Sequence, residues 1–141
     1  MRRIWNRRTS GQALVEFSLS IVIFLVLMMA IVDLGRGIYM FNGVSQAARE
    51  VARVASVHPG TFFGGAEISA VVATQKGLIP NLQDPTFACV DIGGAPGLVL
   101  GKCPTGAQVT VTIVAPYSPV TPLMSLTGTW NMSSTSSQRM P

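Results

Sequence analysis

The sequence predicts an α+β protein in which a long N-terminal helix, membrane-type in its first half and amphipathic in its second, carries a small C-terminal head of one short helix and antiparallel strands. Three observations lead there. From residue 17 to residue 32 no side chain is charged. From Phe41 onward, apolar and small residues recur in alternating steps of three and four, the spacing of one helix face. Further on, Val109, Val111 and Ile113 alternate with Gln108, Thr110 and Thr112, the period of a strand with one buried and one wet face.

Residues 1–11 read as a basic cytoplasmic leader. They hold Arg2, Arg3, Arg7 and Arg8 and end on Gly11. The chain carries ten Lys and Arg against six Asp and Glu, with a pI of 9.7. Setting the four leader arginines aside leaves six basic residues against six acidic ones. The basic excess is therefore local. A nucleic-acid-binding surface would show a basic patch with interleaved aromatics elsewhere, so no nucleic acid is expected as a partner.

Residues 12–33 read as the transmembrane half of the helix. The uncharged run spans about 24 Å at helical rise, whereas a bilayer core asks for roughly 20 residues. Extension back to Gln12 supplies the missing turn and brings Glu16 to the inner edge of the membrane. Phe17, Ile21, Phe24, Leu27 and Val32 mark the anchor. The run is long for a signal-peptide core, and no small-x-small cleavage site follows it. Arginines before it and none behind it until Arg36 place the N-terminus in the cytoplasm and the head outside. The overall balance agrees. Charged residues make up 11% and mean hydropathy is +0.45, far from the roughly 25% charged residues of ordinary soluble domains.

Residues 34–57 read as the amphipathic outer half. Its apolar stripe is Phe41, Val44, Ala48, Val51 and Ala55; a polar stripe runs through Asn42, Gln46, Arg49, Arg53 and Ser56. Gly35, Gly37 and Gly43 each weaken the helix by about 1 kcal/mol relative to alanine. The two halves form one helix over residues 12–57, close to ~70 Å long, ending at the breaker "HPGTFFGG" of residues 58–65. Asp33, Gly35 and Arg36 fall at the outer lipid boundary. They serve there as interface anchors or as intersubunit pairs within a helix bundle. "AAREVAR", residues 47–53, faces either the head or another helix, its alanines allowing close approach in both cases.

Residues 58–141 read as a small extracytoplasmic α+β head. "AEISAVVATQKG" forms a helix with Ile68, Val71 and Val72 inward and Gly77 at its end. "TFACVDI" and "QVTVTIVAPY" form strands, and "TGTWNMSSTSS" is a last strand beside the second. Pro116, Pro119 and Pro122 make the connection between these last two extended. Cys89 and Cys103 are either one disulfide in an oxidising compartment or two buried thiols. A bond between them would stabilise the fold by about 3 kcal/mol in the chain-entropy model. The head is too small to bury much alone, so the outer half of the helix supplies its other wall.

Enzyme readings fail on inventory. The one histidine, His58, sits in the breaker; two cysteines without a second histidine make no zinc site. "GRG" at residues 35–37 lies in a helix and not after a strand, so it is no phosphate loop. No metal or other cofactor is implied.

One residue remains unexplained by these elements. Glu16 is a carboxylate at the edge of an apolar helix, where a charge marks a partner-binding hypothesis by default. "GQALVEF" at residues 11–17, the apolar run, and "DLGRGIYMFNGVSQAAREVAR" at residues 33–53 together resemble the TadE-like proteins of tight-adherence (Tad, or Flp) pilus systems. "VTVTIVAPYSPVTPLMSL", residues 109–126, is similar to that family's C-terminal strand and proline segment. The resemblance implies a pilin-like layout and the role of a minor pilin, or pseudopilin, in pilus biogenesis and adhesion. It also implies cleavage by a prepilin peptidase at the Gly11–Gln12 bond. The freed amine of Gln12 would then pair with Glu16 of a neighbouring subunit and set the axial register of the helices. Its implied partners are the membrane, other pilin subunits, the prepilin peptidase and the pilus assembly platform. Phe17 departs from the pattern in many related pilins, which have tyrosine after the glutamate. Two rivals use the same residues differently. A permanently anchored single-pass protein would keep its leader and bind a partner through its head; an envelope enzyme would need a polar cluster that the sequence lacks.

Overall fold

The computed structural model of the chain describes residues 8–58, 64–91, 93–94, 103–121, 125 and 128–141. The order of elements is α1 (Arg8–Val57), α2 (Ala66–Leu78), β1 (Thr86–Val90), β2 (Gln108–Tyr117) and β3 (Trp130–Arg139). The three strands form one antiparallel sheet with β2 in the centre. Helix α1 packs on β2 and β3, and α2 packs on α1.

Helix α1 runs 50 residues without proline, about 75 Å at helical rise. Its outer half is one wall of the core. Val44, Ala47, Ala48, Val51, Ala52 and Ala55 are all essentially inaccessible. Across from them, Val109, Val111, Ile113, Ala115 and Tyr117 line one face of β2. On β3 the residues paired with Ile113 and Val111 are Ser134 and Ser136. Small side chains on both surfaces let the helix axis come close to the sheet. The amphipathic stripe is right from Val44 onward, with two corrections. Phe41 is half exposed, standing at an open groove beside Trp130 and Met132 of the edge strand β3. Ser56, expected on the wet stripe, is buried and satisfies its hydroxyl by donating to the Arg53 carbonyl at 2.8 Å.

Helix α2 buries Ile68 and Val72, with Val71 partly covered. After it, Ile79 reaches α1 at Gly43, where an added Cβ would sit 3.3 Å from the isoleucine side chain. Lys76 then closes on Asp84 at 2.7 Å on the surface.

Strand β2 occupies the residues that the alternation predicts. Strand β1 stops at Val90, before the expected end; Asp91 is not in the strand and Ile92 lies outside the described residues. Strand β3 begins and ends later than expected, since its register runs the full length of β2, from Trp130 opposite Tyr117 to Arg139 opposite Gln108. Thr127 of its expected start, Pro122, Arg2, Arg3 and Arg7 lie outside the described residues, as do residues 59–63 of the breaker. Cys89 and Cys103 form a disulfide, with Cα atoms 5.8 Å apart, tying β1 to the approach to β2. His58 is half-buried and donates from Nδ1 to the Val54 carbonyl at 3.0 Å, closing the last turn of α1.

Candidate functional site: the helix and its junction with the head

The first half of α1 is bare among the described residues: positions 11–32 are exposed, apart from half-buried Ala30. Leu14, Val15, Phe17, Ile21, Phe24, Leu27 and Val32 are all exposed. In a soluble protein such a surface would be an aggregation hazard; with this length and composition it is a membrane-type span. All the anchor residues read from the sequence fall on this bare segment.

At its inner end, Gly11 and Gln12 lie within the first turns of α1. An added side chain on Gly11 would meet nothing within 4 Å. Gln12 and Glu16 stand one turn apart, and the Gln12 amide donates to the Glu16 carboxylate at 3.2 Å. Both side chains are exposed, so this carboxylate retains room for a stronger partner.

At its outer end the structure brings together residues that the sequence left apart. Asp33 is 3% exposed, although the residues on either side are bare. Its carboxylate accepts the Val120 N–H at 3.1 Å, the Thr121 N–H at 2.9 Å and the Thr121 hydroxyl at 2.5 Å. Its backbone carbonyl accepts the Tyr117 hydroxyl at 2.9 Å. Arg36, one turn on, lies 3.6 Å from the carboxylate and 5.9 Å from the centre of the Tyr117 ring. Burial, together with the Asp33 charge, pushes the Tyr117 phenol above its ordinary range, so the ring remains a donor. Asp33 is thus neither an interface anchor nor an intersubunit partner here. It is a clamp that fastens the helix to the segment leaving β2.

Tyr117, Val120 and Thr121 were missed as functional residues. Their partner lies 84 to 88 positions earlier, beyond any helical or strand periodicity. The signal available was Asp33 itself, an acid with no cation nearer than Arg36; nothing in the sequence pointed to its partners. Among the described residues, no three His, Cys, Asp or Glu side chains converge as a metal site would require.

These features define a class of protein: a single-pass type of helix, bare over its first half, whose second half is built into an α+β head. Within that class the family described as TadE-like protein matches residues 11–53. The match spans the bare half of α1, the Asp33 junction and much of the buried half; residues 109–126 lie outside it. No curated protein and no solved structure matches the chain. The chain is thus similar to TadE-like proteins over residues 11–53, and it carries a helix of membrane-spanning type.

Proposed function

We propose that the protein is a minor pilin, or pseudopilin, of a Tad-type pilus machine. It is inserted with residues 1–11 in the cytoplasm and the head outside, cut after Gly11, and packed through its helix among other pilin subunits. Its work is associative: priming assembly, or joining the filament to the envelope. The observation that supports this reading is the coincidence of the TadE-like match with a helix half that no described part of its own chain covers.

Glu16 has a defined place in this reading. A charged side chain at the bilayer centre costs about 2.5–3.5 kcal/mol on insertion scales, and less near the edge. An amide is the weaker of the partners available to a carboxylate. Cleavage would turn Gln12 into a terminus bearing an ammonium, which offers Glu16 a donor of opposite charge in place of a neutral amide. Within one helix that amine and Glu16 are four residues apart; between two packed helices the same pair fixes their axial offset. Head disulfide formation requires an oxidising compartment, which accords with a head outside the cytoplasm.

Intact-mass measurement on protein from its native host tests the first step. A mature chain beginning at Gln12 is expected, and an intact leader in a host with active prepilin peptidase would leave a permanently anchored, partner-binding protein instead. Glu16→Ala tests the second step. The variant should insert and be cleaved normally but enter pilus assemblies poorly.

A further inference from the structure

The apolar surface of α1 does not stop at Asp33. Leu34, Ile38 and Phe41 continue one face of the helix at steps of four and three, and all are exposed. Beside them Trp130 and Met132 of β3 close an apolar groove of about 270 Å³. Trp130 is 43% exposed at the end of the sheet nearest the bare helix. The loop that covers Asp33 turns Val120 outward at 69% exposure. Apart from Asp33 and Arg36, charges are absent around this end: β2 has none, β3 has none before Arg139, and α1 has none between Arg36 and Arg49.

Depth decides what covers the groove. If the hydrocarbon layer starts at Phe17, a core of about 30 Å takes some 20 residues and ends near Arg36. The headgroup layer adds about 5–8 Å, or another four or five residues, and ends near Phe41. The groove therefore falls within the outer headgroup layer. Asp33 falls at the hydrocarbon boundary, where a bare carboxylate would be costly; the loop of residues 118–121 encloses it and offers Val120 to the surroundings. Trp130, Tyr39 and Arg36 are the residue types of a membrane–water interface, with an amphipathic ring or a long cationic arm.

We propose that the groove of Leu34, Ile38, Phe41, Trp130 and Met132 is a lipid-contact site, and that the head sits on the outer leaflet with Trp130 and Val120 immersed among the headgroups. The head is seated on the bilayer and is not held clear of it on a helical stalk. This rests on the single-pass reading above, and the test separates the two.

The chain has two tryptophans, Trp5 and Trp130. In a full-length Trp5→Phe variant reconstituted in phosphatidylcholine vesicles, Trp130 should emit to the blue of exposed tryptophan. Lipids brominated near the headgroup end of the acyl chain should quench it about two-fold, and more than deeply brominated lipids. A Trp5→Phe, Phe24→Trp, Trp130→Phe variant reports on the anchor and should show the reverse depth preference. Deep quenching at position 24 with Trp130 open to aqueous iodide and untouched by lipid overturns the seated head but leaves the anchor intact. Trp130 shielded from both quenchers means that protein, such as a second copy, fills the groove, and also overturns the proposal. Loss of lipid quenching at both positions overturns the anchor and the seated head together.

Discussion

The two halves of α1 are made of similarly apolar residues and meet opposite fates. Val26 is 45% exposed and Val51 is inaccessible, on one continuous helix. The difference lies in the neighbours that each half can accept. Leu, Ile, Phe and Met surround the inner half on every side, so no face is singled out for a protein partner. In the outer half the bulk is cut down to Val and Ala on one face, and Arg49 and Arg53 occupy the other. A helix that must lie on its own sheet needs a narrow, small-residue face; one that meets lipid or other helices needs apolar surface all round.

The disulfide should separate the halves most sharply. Replacing Cys89 and Cys103 by serine should lower head stability by about 3 kcal/mol, read from urea unfolding in detergent, while membrane insertion stays unchanged. Next comes one substitution made twice. Val51→Ala should cost about 2 kcal/mol by leaving a cavity, whereas Val26→Ala should leave head unfolding where it was. Equal effects at both positions would erase the distinction between the halves. Asp33→Ala works at the seam: it strips three donors of their acceptor, and thermal unfolding of the head should begin about 5 °C lower. The smallest effects belong to two glycines of α1. Gly37→Ala meets nothing closer than 3.8 Å and should stabilise by about 0.5–1 kcal/mol. At Gly43 the same helix gain is offset by the contact with Ile79, so Gly43→Ala should fall within about 0.5 kcal/mol of the parent.

The sequence was legible where one period governed a whole element. Val109, Val111 and Ile113 announced β2 because the pleat has only two faces, and the strand pairs over its whole length. The bare span was legible because sixteen residues without charge leave few soluble alternatives. Phe41 was misread because the width of a partner is not written in the helix: it stands at a groove beside the edge strand β3 and stays half exposed. Ser56 was misread because a hydroxyl can turn back to its own helix and be buried at little cost. The Asp33 clamp was hidden for a different reason. Its strength lies in backbone N–H groups of Val120 and Thr121, which any residue but proline carries, so no side-chain pattern reveals them. Glu16 was conspicuous as a charge beside an apolar run, yet the pairing proposed for it needs a second molecule that no single chain contains.

The clamp has a mechanical consequence. Tension applied along the anchor reaches the head first at Asp33, where several short bonds to the 117–121 segment share the load in parallel. That segment continues directly from the central strand, so the pull enters the sheet at its middle and not at a loose margin. Peeling the head from its rod would require those bonds to fail together, which would suit the proposed pilin role of a body hauled by one end.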